Sequence, residues 1–179
     1  MAGGQFLQIS WWGAFFKILL WQKREKMFDL DAFDKHLLQL LQQNNRMTAS
    51  ELGEIVGLSS SAVQRRLTRL REEKIIEADV SIIAPAVAGL GITCVVDVVL
   101  EEGHGKAMDQ FKSAMLQCSE VMQCYYVTGT YDFVMIVNAK DMQEYEAFTK
   151  KWLVSNPHLK HFYTHVVMDR VKVGYSIPI

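Results

Sequence analysis

The run from Thr48 to Glu73 constrains this chain more than any other. Thr48 and Glu51 stand three apart ahead of an apolar stretch, the spacing at which a hydroxyl and a carboxylate cap each other's end of a first helical turn. Further on, Gly57 can take the left-handed conformation that closes a helix, Leu58 can turn back into a core, and Ser59 is a fresh N-cap. The pattern predicts a helix reaching about Val56, a tight turn, and a second helix over Ser60–Glu73. Upstream, Asp31 is placed to cap a helix in which Phe33, Leu37, Leu40 and Leu41 recur at helical spacing until Asn44-Asn45 ends it. Three helices on turns this short must pack on one another.

On the third helix, Val63, Leu67 and Leu70 form an inward stripe that turns Ser61, Arg65 and Arg69 outward, flanked by Ser60, Gln64 and Thr68. Between Ser59 and Lys74 the basic Arg65, Arg66, Arg69, Arg71 and Lys74 face only Glu72 and Glu73. The whole chain carries a net charge of -1, so this positive patch is local and set against an acidic remainder. A rigid helix pair with a polar second helix is what a major groove about 12 Å wide admits. Hydroxyls and free N–H groups at a helix start suit phosphate oxygens, glutamine suits adenine, and arginine suits guanine. The candidate contacts to double-stranded DNA are Thr48, Ser59, Ser60, Ser61, Gln64, Arg65, Arg66 and Arg69. A solvated helix face is the plain alternative for the charges alone; against it stands the joint occurrence of capping box, Gly57 turn, serine-rich start and arginine face.

After Ile75-Ile76 the pattern becomes extended. Glu77–Ile83 reads as a strand ending at Pro85, and the Ala-, Gly- and Pro-rich stretch to Gly91 as a hinge. Beyond it the order is strand (Ile92–Leu100), helix (Gly105–Cys118), strand (Val121–Thr128), strand (Phe133–Asn138), helix, strand (Phe162–Val173). The second of these helices starts at a cap on Asp141, with Glu144 three later and Tyr145, Phe148 and Trp152 as its buried face. This is a ferredoxin-like βαββαβ order, with two helices on one face of an antiparallel sheet. The fold class expected is therefore α+β: a three-helix, winged-helix-like helix-turn-helix over 27–76, a strand and hinge over 77–91, and a ferredoxin-like domain over 92–179. With Tyr125, Tyr126, Val95 and Val99 available on opposite pleats, an apolar sheet face left uncovered by the helices is more readily buried by a second copy than left wet.

Cys94, Cys118 and Cys124 are odd in number and contain no C-x-x-C pair, which fits neither a disulfide framework nor a zinc site and points to a reducing, cytoplasmic setting. No metal site or cofactor is expected. Residues 1–26 contain an apolar run, Trp11–Trp21, too short for a membrane helix of ~20 residues. It lacks the charge order of a signal peptide, so a misassigned start or a non-native tail is the simple reading, with a membrane-surface or partner-binding helix as the alternative.

With these residues in place the chain from Leu30 onward resembles the Lrp/AsnC (feast/famine) transcription regulators. The resemblance is carried by LDAFDKHLLQLLQQNNRMTASELGEIVGLSSSAVQRRLTRLREEKII and by VTGTYDFVMIV, which is similar to the family's effector-loop motif. It implies a helix-turn-helix hinged to an effector-sensing domain that dimerises, with dimers gathering into tetramers or octamers, and an amino acid or related metabolite as effector. By position it implies an effector pocket shaped by Gly129, Thr130, Tyr131 and Asp132, with Thr164 from the last strand. Gly129 and Asp132 also fit an ordinary turn between strands. The family commonly has glycine where Lys74 stands.

Two other classes remain. The sirohaem decarboxylases resemble the same two-part architecture, and in such an enzyme His104, His161 or His165 would matter, although no acid-base pair or metal-ligand spacing supports it. An RNA-binding or purely oligomerising module is disfavoured because Tyr125 and Tyr126 are adjacent rather than on one pleat.

Overall fold

The computed structural model describes residues 28–101 and 105–179, so the readings for residues 1–26 and His104 lie outside the described residues. The chain divides into two compact units, one made of the described residues up to Ser81 with Val173–Ile179, the other Ile82–Lys172.

The first unit holds α1 (Ala32–Gln43), α2 (Ala49–Val56) and α3 (Ser60–Glu72). Asp31 caps α1, and Asp34 reaches back to the Asp31 N–H, completing a capping box. Leu37, Leu38, Leu52, Val56, Val63, Leu67 and Leu70 form the core. On α1 the inward face differs from the sequence reading: Asp34 and Leu38 are buried, while Phe33 is exposed and Leu40 and Leu41 are only partly covered. Glu73 and Lys74 close α3. The Ile75 N–H bonds to the Leu70 carbonyl at 2.9 Å and the Lys74 N–H to that of Arg71 at 3.1 Å, a Schellman ending with Lys74 left-handed at φ 60°.

The segment 77–84 forms no strand, contrary to the reading of Glu77–Ile83. Its β-branched residues are in place, but a strand needs a ladder partner, and Val80, Ile82 and Ile83 stay exposed. The tail, assigned from sequence to the second domain, returns to the first unit. Gln42 of α1 donates to the Ile177 carbonyl at 3.1 Å and accepts the Ile177 N–H at 2.6 Å, and Gln39 donates to the Ile179 carbonyl at 2.9 Å.

The second unit contains β1 (Ile92–Leu100), α4 (Gly105–Leu116), β2 (Val121–Tyr126), β3 (Phe133–Ala139), α5 (Met142–Thr149) and β4 (Leu159–Val166). The sheet is antiparallel in the order β2-β3-β1-β4, the βαββαβ arrangement expected. Cys94, Val96, Val98, Met135 and Val137 meet Phe111 and Met115 of α4 and Tyr145 and Phe148 of α5. Each such apolar side chain stabilises the unit by roughly 1.5–3 kcal/mol. After α5 the chain makes a π-helical turn, Lys150–Val154. The wider turn moves the inward position from i+4 to i+5 after Phe148, so Leu153 rather than Trp152 is fully buried. The last strand starts earlier and ends sooner than read from sequence.

Candidate functional site

The turn between α2 and α3 is built on two glycines. Gly57 is left-handed at φ 75°, and its N–H and that of Leu58 both bond to the Gly53 carbonyl at 2.9 Å. A Cβ on Gly53 would sit 2.5 Å from the Leu58 carbonyl oxygen, so the close approach of turn to helix requires glycine there. Sequence reasoning passed over Gly53; a buried glycine one helical turn before Gly57 was the available signal.

Beyond the turn, Ser59 Oγ accepts the Ala62 N–H at 3.2 Å and lies 3.1 Å from Ser61 Oγ. Ser59, Ser60, Ser61, Gln64, Arg65 and Thr68 are exposed along one side of α3, opposite Val63, Leu67 and Leu70. Thr48, also exposed, spends its hydroxyl and N–H on Glu51 in the cap of α2.

Arg69, read from sequence as outward beside Arg65, and Arg66, read as a further DNA contact, both turn to carboxylates of the first unit. Arg66 Nη1 donates to Asp31 Oδ2 at 2.7 Å and to Asp34 Oδ1 at 2.8 Å, with its guanidinium over the Phe33 ring. Arg69 Nη2 donates to Asp34 Oδ2 at 2.5 Å. The partners lie 32 and 35 residues away in the chain, beyond the reach of helical periodicity. Hydrogen bonds donated to Asp34 and Asp31 hold the Arg66 pKa above its ordinary value, and the Asp34 N–H foremost holds the Asp31 carboxyl below its own. Arg71 pairs with Asp79 at 2.8 Å. Of the five basic residues between Ser59 and Lys74, Arg65 and Lys74 have no carboxylate partner among the described residues.

In the second unit, Gly129 is at φ 122° and is exposed with Thr130, while Tyr131 and Asp132 are half-buried. Asp132 is occupied by backbone: its Oδ2 accepts the Leu100 N–H at 2.8 Å, its N–H donates to the Val98 carbonyl at 2.9 Å, and its carbonyl accepts the Val127 N–H at 2.9 Å. The Tyr131 ring packs edge-on against Tyr163 at 5.9 Å, and Tyr163 against His161 at 5.3 Å. Thr164 is not brought to the loop: it pairs with Val96 on the inward pleat and hydrogen bonds to the Tyr145 hydroxyl at 2.5 Å. Alternation along β4 sets Tyr163, His161 and His165 on the outward pleat, with His165 Nε2 at 3.0 Å from Asp97. That alternation was the signal that sets Tyr163 beside Tyr131 and Thr164 on the opposite pleat.

Comparison with known proteins draws on both halves. The AsnC-type helix-turn-helix domain profile matches residues 30–71 and the Lrp/AsnC ligand binding domain profile residues 93–177. The chain belongs to the Lrp/AsnC family of transcription regulators. Among the relatives of this Lrp/AsnC chain, an HTH-type transcriptional regulator of Sinorhizobium fredii is 50% identical over 84% of this chain and 89% of that one. The proline dehydrogenase transcriptional activator of Rhizobium radiobacter is 31% identical over 82% of this chain and 94% of its own length. In three dimensions it is similar to a transcriptional regulator from Neisseria meningitidis determined as an L-Met complex, at TM-score 0.78 and 29% identity, covering 83% of this chain and 96% of that one. The family and these relatives are regulators rather than enzymes, which sets aside the decarboxylase reading. Among the described residues no group of three or more His, Cys, Asp or Glu side chains could hold a metal ion, and no helix is long and apolar enough to cross a membrane.

Proposed function

We propose that this Lrp/AsnC regulator reads double-stranded DNA through the exposed side of α3, with Ser60, Ser61, Gln64 and Thr68 facing the major groove and Thr48, Ser59 and Arg65 beside the phosphates. The observation that carries this is the α3 start: first-turn N–H groups and serine hydroxyls, with Arg65, which has no carboxylate partner among the described residues, one turn further along the same side. Binding of labelled duplex to the Arg65→Ala variant tests it. Affinity is expected to fall, with the slope of log K against log salt smaller by ~0.9 if Arg65 meets one phosphate. Parental affinity and slope would overturn the assignment.

The effector we propose is an amino acid at the loop of Gly129, Thr130, Tyr131 and Asp132, with Tyr163 beside it. Support comes from the L-Met complex of the Neisseria regulator and the leucine-responsive regulatory proteins among the relatives. A thermal-shift screen over the amino acids tests this, since a ligand at 100 times its dissociation constant adds ~2.7 kcal/mol. No shift from any of them would overturn it. The protein acts in the cytoplasm as a homodimer, or as a tetramer or octamer assembled from such dimers. The outward sheet face carrying Val95, Val99, Val134, Ile136 and the half-exposed Tyr125 and Tyr163 supports pairing with a second copy. Sedimentation giving a monomer at working concentrations would exclude this.

A further inference from the structure

Asp34 is a charged side chain with 1% of its surface exposed, yet it lies in neither the α3 reading side nor the effector loop. Its carboxylate takes the Asp31 N–H at the start of α1 and one guanidinium from each of Arg66 and Arg69. Those arginines are three apart, so α3 is fastened to the first turn of α1 at two points separated by about one helical turn.

Two such points resist what the apolar stripe does not. Contacts of Val63, Leu67 and Leu70 with the core are non-directional and tolerate small rotations of α3 about its axis. Charged hydrogen bonds at 2.5 to 2.8 Å do not, because they weaken steeply with misalignment. A rotation of α3 would swing Ser61 and Gln64 along the groove floor, where a displacement of an ångström separates a base contact from none. Drawing Arg66 or Arg69 out to a phosphate would leave a buried carboxylate short of a partner, which is strongly unfavourable.

We propose that Asp34 is a positioning residue for DNA reading, and that Arg66 and Arg69 serve operator binding by setting the rotation of α3 against α1 rather than by touching the duplex. The inference rests on α3 being the reading helix.

The test measures affinity for two labelled duplexes, one carrying the sequence that the parent protein enriches from a random library and one scrambled, each over a salt series. Variants Asp34→Asn, Arg66→Ala and Arg69→Gln are compared with Arg65→Ala under conditions where circular dichroism shows each folded. The positioning variants are expected to lose at least tenfold of the specific-over-scrambled ratio while keeping the parental salt slope on the scrambled duplex, whereas Arg65→Ala lowers that slope by ~0.9. A merely structural role would lower the melting temperature and leave the ratio among folded molecules unchanged, and that result overturns the proposal. So does a slope reduced in Arg66→Ala or Arg69→Gln as in Arg65→Ala, which would make these arginines phosphate contacts. Parental affinity and slope for Arg65→Ala, with the ratio lost in the other variants, would instead remove the reading assigned to Arg65. Should Asp34→Asn not fold, the half-exposed Arg69→Gln carries the same test.

Discussion

Asp132 Oδ2 accepts the Leu100 N–H at 2.8 Å, so a carboxylate from the loop before β3 closes the end of β1. The register between β1 and β4 shifts between Val99 and Leu100, and the side chain supplies the acceptor at that break. Asp132 is thus a structural member of the loop, whatever binds there. Asp132→Ala is expected to cost about 1–3 kcal/mol with no ligand present, as the Leu100 N–H is left unpaired. Asn, which keeps an acceptor, is expected to cost less. Thermal unfolding of both variants without amino acid checks this; equal melting temperatures for parent and Ala variant would refute it.

Lys74 holds a left-handed conformation at φ 60° that a Cβ disfavours. Glycine there relieves the strain at the cost of some unfolded-state freedom. Lys74→Gly is expected to stabilise the helix-turn-helix unit by about 0.5–1 kcal/mol, read as a rise in melting temperature of several degrees. Lys74→Val, β-branched, is expected to lower it.

Gly53 meets the Leu58 carbonyl where a methyl group would sit. Gly53→Ala is expected to destabilise the unit by roughly 1–3 kcal/mol even though alanine is the better helix former, since backbone must move to admit it. Denaturant unfolding monitored by helical signal reports the sign. A stabilised alanine variant would show that the α2–α3 turn yields freely.

Acid should weaken the first unit through its caps. Glu51 is held below its ordinary 4.5 by the Thr48 N–H and hydroxyl, and Asp31 below its ordinary 3.8 by the Asp34 N–H foremost and by Arg66. A depressed folded-state pKa contributes stability that is complete above the unfolded value and is lost as pH falls through the folded one. The unit is therefore expected to be insensitive to these groups above about pH 5 and to lose stability as pH drops through 4.5 and below. Glu51→Gln keeps an acceptor without a titrating charge, and its melting temperature should fall less steeply over that window.

The helices, their caps, the Gly57 turn and the strand order were legible in the sequence because each follows from spacing within a few residues: capping at three, apolar recurrence at three and four, alternation at two. Tertiary structure alone decided which of the polar positions stay available. Arg66 and Arg69 look outward-going or neutral by periodicity, yet Asp34, more than thirty residues upstream, draws both onto α1. Thr164 faces Tyr145 rather than the loop because β4 pairs with β1 in one register and not its neighbour. Residues 77–84 have strand composition but no ladder partner among the described residues, and the Ile177 N–H and carbonyl dock on the Gln42 side-chain amide, a pairing that no local spacing encodes. Local spacing determines the form of each segment; ion pairs, strand register and backbone docking depend on neighbours distant in the chain, so only the folded arrangement assigns them.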